Sequence, residues 1–123
     1  MTIEEFNKFL KKLIEKEQLL LNQKGKEYSG VKDRFTNFKD LGCELALPQE
    51  KVAFIYLKKH LDSLKSYINN IGNQEYIDNL SEPILGRIND ARNYLALIGG
   101  MIEEREKNKL ASKAKVSVTT VAT

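Results

Sequence analysis

Three short groups of residues in this chain have the types and spacing to hold an anion beside a flat ring. Lys24, Lys26, Tyr28, Lys32 and Arg34 crowd into one polar segment, with Asn37 three residues on. Lys59 and His60 are adjacent, and Arg87, Asp90, Asn93 and Tyr94 recur at helical steps. Ammonium and guanidinium groups hold phosphate or carboxylate, the guanidinium as a two-pronged fork, while a phenol can stack on a planar ligand. Each group also has a plain structural reading. The first segment can be a solvated basic turn, Asn37 a local cap, and His60 a structural histidine with Tyr56 and Tyr67 on its flank.

Helices must position these groups. Thr2 and Glu5 form a T-x-x-E capping box ahead of Phe6, Phe9, Leu10, Leu13 and Ile14, so a first helix is expected from Ile3 to about Lys24. Leu19-Leu20-Leu21 covers nearly every side of its last turns, which calls for enclosure by other elements or by a second subunit. Gly25 suits a C-cap, followed by a loop from Gly25 to Arg34. Gly25 and Gly30 share the spacing of a phosphate-binding loop, but Val31 stands where lysine is required and a helix precedes, so that reading fails.

Asp33 can cap a short second helix whose Phe35, Phe38, Leu41 and Leu45 share one face. Pro48 and Glu50 open a third helix to about Asn70, with Ala53, Leu57, Leu61, Leu64 and Ile68 as its apolar stripe. Lys59, Asp62, Ser63 and Ser66 line the opposite side. Turn residues fill 69–74, one helical turn is expected over Tyr76–Leu80, and Ser81 can cap the last helix, with Pro83 in its first turn.

That last helix carries Ile84, Ile88, Ala91, Leu95, Ile98 and Ile102 at steps of four and three, the pattern of a core-facing stripe. At about 100° per residue, Arg87 and Tyr94 fall roughly 40–60° from Asp90 toward the stripe, and Asn93 roughly 60° away from it. Leu97 and Met101 continue the Asp90 face, which another helix or a second chain should therefore cover. Gly86, Gly99 and Gly100 weaken the helix by about 1 kcal/mol each relative to alanine, so close helix approach, a ligand or a partner chain should exploit them. Beyond Glu104 a charged run extends the helix. The tail from 112 to 123, rich in Val and Thr, is expected to be flexible or to cross onto another subunit.

The whole reads as an all-α bundle of three substantial helices and one short one, a single domain over 1–111 with a tail over 112–123. At 123 residues with a net charge of +3, the chain suits one domain, and the small charge argues against duplex nucleic acid as a partner. No stretch approaches a membrane span, and the acidic N-terminus is unlike a signal peptide, so a cytoplasmic location is expected. One cysteine and one histidine rule out a disulfide within the chain and a multi-cysteine or His-rich metal site.

The segments Lys24-Gly25-Lys26-Glu27-Tyr28-Ser29-Gly30, Asp33-Arg34-Phe35, Asn37-Phe38, Lys59-His60, Ser81-Glu82-Pro83, Gly86-Arg87 and Asp90-Ala91-Arg92-Asn93-Tyr94-Leu95 resemble small phage and prophage proteins. The resemblance runs over roughly Leu20–Glu104, to the phage nucleotide-modification-associated domains and, more remotely, to the MazG-like all-α nucleotide pyrophosphatases. It implies a helical homo-oligomer that handles nucleotides inside an infected or lysogenic host. In MazG-like enzymes an E-x-x-E pair and a later E-x-x-D pair bind magnesium, which bridges phosphates and helps activate water. Here the first pair would be Lys59 with Asp62, and the later one Arg87 with Asp90 or Asp90 with Asn93, each lacking one carboxylate. Glu82 and Asp33 could add others.

These departures count against hydrolysis more than against binding. The expected function is therefore nucleotide binding by Lys24, Tyr28, Arg34, Asn37, Lys59, His60, Arg87, Asp90, Asn93 and Tyr94, without a cofactor. Sequestration of a host signalling nucleotide would follow by analogy. The alternatives are a magnesium-dependent pyrophosphohydrolase, with Asp62, Glu82 and Asp90 as metal ligands, and a helical protein-interaction module without enzymatic activity.

Overall fold

The computed structural model describes residues 1–28 and 33–122, which form five helices and no strand among the described residues. They are α1 (Ile3–Tyr28), α2 (Thr36–Leu45), α3 (Gln49–Asn69), α4 (Gln74–Asp78) and α5 (Ile84–Ala122). The all-α expectation holds. α3 packs most extensively along α5, α2 lies on α3, and α1 lies on α5.

The capping box at the start of α1 is reciprocal: Thr2 N donates to Glu5 Oε2 at 2.7 Å and Glu5 N to Thr2 Oγ1 at 3.1 Å. At its far end α1 runs through Gly25 to Tyr28 instead of stopping at Lys24. Gly25 is not a left-handed cap; among the described residues positive φ occurs at Ala46 (55°), which closes α2, and at Gly72 (96°), in the turn before α4. A Cβ at Gly25 would stand 2.9 Å from Arg34 Nε, so the glycine serves to let that side chain lie across the helix.

Asp33 organises the start of α2 from just outside it. Its Oδ1 accepts from Phe35 N at 2.9 Å, and its backbone carbonyl accepts from the Thr36 hydroxyl at 2.9 Å. Lys39 ties this turn to α5, with Nζ 2.8 Å from Asp33 and 2.9 Å from Glu104. These bonds hold the Asp33 carboxyl below its ordinary range and push the Lys39 ammonium up.

The core is small: Val52, Ala53 and Leu57 of α3 meet Ala91, Leu97 and Met101 of α5, with Leu21, Phe35, Phe38, Tyr94 and Ile98 packed around them. On α5 the Asp90 face is covered, as expected, while the expected core stripe is buried only in part. The side that follows Asp90 is the buried one, with Met101 at 0% exposure, whereas the apolar stripe is split. Its Ala91 and Ile98 reach the core, but Leu95 is 56% and Ile102 51% exposed. Leu97 and Met101 are long, unbranched at Cβ, and reach across to Ala53, whose small side chain makes room for them. On α3, Ala53 and Leu57 are buried as expected, while Leu61 and Ile68 lie open.

Where the tail at 112–123 was expected to be flexible or to cross onto another subunit, α5 continues as helix to Ala122, and residue 123 lies outside the described residues. No glycine or proline interrupts it after Gly100; Glu103 and Lys107 pair one turn apart at 3.7 Å, and Leu110, Ala111 and Ala114 are strong helix formers. At 39 residues this helix is about 58 Å long. α4 starts at Gln74, two residues before the expected turn, because the Asn73 side chain accepts from Tyr76 N at 3.2 Å.

Candidate functional site

The end of α1, the start of α2, the first turns of α3 and the middle of α5 enclose a cavity of about 310 Å³. Leu21, Leu41, Val52 and Leu97 make its apolar wall, and Lys24, Arg34, Asn37 and Asn93 its polar one. Phe38, Tyr56 and Tyr94 complete the lining. Lys24 reaches it because α1 continues past the core, and Arg34 because Gly25 leaves its side chain a path. Arg34 Nη2 donates to the Leu21 carbonyl at 3.4 Å. Burial lowers the Arg34 pKa and the nearby Tyr94 opposes that shift, yet a guanidinium stays charged at neutral pH.

Asn93 stands out in this lining. It is 3% exposed, and neither Oδ1 nor Nδ2 has a hydrogen-bond partner within the chain. Leaving a buried amide unpaired costs on the order of 1–3 kcal/mol, so buried polar atoms are nearly always satisfied. Here one donor and one acceptor are presented at the wall of a cavity.

An aromatic stack supports the cavity. Tyr94 lies parallel to Tyr56 at 5.8 Å (7°) and to His60 at 5.5 Å (22°), and Phe38 sets its edge against both tyrosines at 6.4 Å. Such offset and edge-on pairs contribute about 0.5–1.5 kcal/mol each beyond burial. Tyr94 is therefore already stacked on two rings of α3.

Behind the stack runs a chain of charges. Asp90 lies 3.5 Å from Lys24 Nζ and 3.8 Å from His60 Nδ1; Arg87 lies 3.5 Å from the same His60 nitrogen and 3.3 Å from Glu82. Burial depresses the His60 pKa; Asp90 works against this, but Arg87, Lys24 and Lys59 reinforce it. A neutral ring with its proton on Nε2 can accept at Nδ1 from Arg87. On this arrangement neutral His60 stacks on Tyr94 and accepts from Arg87, and the Asp90 carboxylate is held by Lys24.

The sequence-derived set thus separates. Lys24, Arg34, Asn37, Asn93 and Tyr94 line one cavity, and His60, Arg87 and Asp90 form its outer support. Lys59 is exposed and takes no place in the lining. The side chain of Tyr28 and residues 29–32, including Lys32, lie outside the described residues. The three carboxylates expected as metal ligands do not converge. Asp62 is exposed and bonded to Lys58 at 2.8 Å, Glu82 to Arg87, and Asp90 to Lys24. Among the described residues no group of three His, Cys, Asp or Glu is placed to hold a metal ion.

Phe38 and Tyr56 were read as core and flank, yet both line the cavity. Tyr56 sits one turn before His60, on the flank that the sequence already marked. Neither family models, curated proteins nor solved structures match this chain. Function rests on the cavity itself. With two cations at its polar end, an unpaired amide in its wall and an apolar floor, it can take a flat molecule bearing one anionic group.

Proposed function

We propose that the chain binds a phosphorylated nucleotide in this cavity. The observation that carries the reading is Asn93, a buried amide without a partner in a wall shared with Lys24, Arg34 and Tyr94. Lys24, steadied by Asp90, and the Arg34 fork face the phosphate, and Asn93 meets a base or sugar edge through its paired donor and acceptor. The apolar wall of Leu41, Val52 and Leu97 takes the flat face of the base. At about 310 Å³ the cavity lies at the low end of the roughly 300–1,000 Å³ range of small-molecule sites, room for one nucleoside with its phosphate. Sequestration of a host signalling nucleotide by a phage-type protein follows from the resemblance, and the fit of Lys24 and Arg34 to phosphate is compatible with it.

Magnesium-dependent pyrophosphohydrolysis has less support, because each carboxylate it would call on stands beside a cation instead of beside another carboxylate. Calorimetry against nucleosides, nucleoside mono-, di- and triphosphates and cyclic dinucleotides tests the reading. Binding that requires the phosphate and weakens at least tenfold in both Arg34→Met and Asn93→Leu is expected. An absence of binding across the panel would sink it. Pyrophosphate release that needs Mg²⁺ and disappears in Asp90→Ala would replace it with hydrolysis.

A further inference from the structure

The two cations of the cavity are already partly matched by the chain itself. Lys24 Nζ lies 3.5 Å from Asp90 Oδ1, with the carboxylate the more deeply set of the pair. Arg34 donates through Nη2 to the Leu21 carbonyl at 3.4 Å, so one prong of its fork is engaged within the fold. The charges beyond Asp90 add little: Arg87 pairs with Glu82 at 3.3 Å, and Lys59 is exposed, where salt screens it. Lys24, Arg34 and Asp90 together therefore leave one net positive charge at the polar end of a cavity whose opposite wall is Leu21, Leu41, Val52 and Leu97.

We infer, resting on the nucleotide reading above, that the phosphate held here is a singly charged diester, that of a nucleoside cyclic monophosphate, and that Asp90 sets this preference by matching one of the two cations. One negative charge then meets one net positive charge. A terminal phosphate, with its second pKa near about 6, carries close to two charges at neutral pH. The second charge would be left unmatched beside Asp90 and against apolar walls, where an unpaired charge is costly. The oxygens agree: a diester has two unbridged oxygens, one for Lys24 and one for Arg34, whereas a terminal phosphate adds a third. The volume agrees as well, since about 310 Å³ takes a single nucleoside, and closing the phosphate onto its own sugar shortens the ligand. A diester inside a larger dinucleotide shares this chemistry but has to extend out of the cavity.

Calorimetry at about pH 8, where a terminal phosphate is doubly charged, tests this for each common base. The compounds are the nucleoside 5′-monophosphate, its 3′,5′- and 2′,3′-cyclic monophosphates, a cyclic dinucleotide, and the 5′-(methyl phosphate), which keeps the open sugar but carries a single charge. For one base the wild type is expected to bind the methyl compound and a cyclic monophosphate at least about tenfold more tightly than the 5′-monophosphate. In Asp90→Asn, which restores the second positive charge, that preference is expected to vanish or reverse. A 5′-monophosphate that binds as tightly as its methyl ester overturns the inference and leaves nucleotide binding standing. So does a preference that Asp90→Asn leaves unchanged. Tight binding of a cyclic compound without the methyl ester would trace the preference to ring shape and overturn the role of charge, and a cyclic dinucleotide that binds tightest would overturn the mononucleotide assignment. Absence of binding by every compound overturns the inference together with the nucleotide reading. Should Asp90→Asn lose helicity, the methyl ester against the 5′-monophosphate in the wild type decides.

Discussion

Two faces of α5 run side by side and are used in opposite ways. One begins in polar residues, Asp90 and Asn93, and closes on Leu97 and Met101; it is the face the chain buries. The other is the apolar stripe through Leu95 and Ile102, and the single chain leaves much of it open. The first face carries polar Asn93 into the interior beside apolar Leu97 and Met101, and the second reaches the core only at Ala91 and Ile98. On the proposed reading the buried amide of the first face meets a ligand.

The sharpest break in that contrast would come from truncation. Met101→Ala is expected to cost about 2–4 kcal/mol, because Met101 is fully buried and cannot be replaced without a cavity. Ile102→Ala, the next residue, should stay within about 0.5 kcal/mol when urea unfolding is followed at a dilution where chains are separate. Equal losses would mean that the two faces are not distinguished as described.

Next comes Asn93→Leu, which replaces the unpaired amide with an apolar fork of the same branching and somewhat larger volume. The ligand-free chain should gain about 1–2 kcal/mol, seen as a higher Tm, while nucleotide affinity falls. A loss of stability would show that Asn93 holds the fold instead of awaiting a ligand.

A smaller effect separates the adjacent glycines. Gly99→Ala meets open space, so in dilute chains it should stabilise by about 0.5–1 kcal/mol through helix propensity. Gly100→Ala puts a Cβ 3.0 Å from the Phe35 ring, which must shift, and the gain should vanish or reverse. Thermal unfolding of the two variants reads the difference.

The smallest effect is with pH. The folded chain holds the His60 pKa below its ordinary 6.5, so below that value the unfolded chain takes up a proton that the folded one resists. Stability from this residue is full above about pH 6.5 and declines as the pH falls through the folded pKa. His60→Gln should flatten that part of a stability–pH profile measured by denaturant titration.

The helices were legible because their periodicity and caps are local: the Thr2–Glu5 box, the Asn73 turn and the stripe of α3 are written in neighbouring residues. Half of the proposed ligand set was legible for the same reason, since Lys24, Arg34, Asn37, Asn93 and Tyr94 sit in short polar groups. Which side of α5 faces its own chain was not, because both sides carry apolar residues and the choice is made by Ala53 and Phe35 from distant segments. Gly25 read as a helix end for a similar reason. Its role depends on Arg34, nine residues on, and no local pattern reports a side chain lying across a backbone.

Arg34 and Phe35, neighbours in sequence, press on glycines of two different helices, Gly25 of α1 and Gly100 of α5. The four positions are thus coupled as two pairs, 25 with 34 and 100 with 35. A chain of this fold that trades Arg34 for a small residue releases position 25 to alanine, and one that trims Phe35 releases position 100, so these pairs should covary. A natural variant bearing a larger residue at only one glycine would be expected to displace its partner side chain, and with it either the cation at the mouth of the cavity or the ring beneath it.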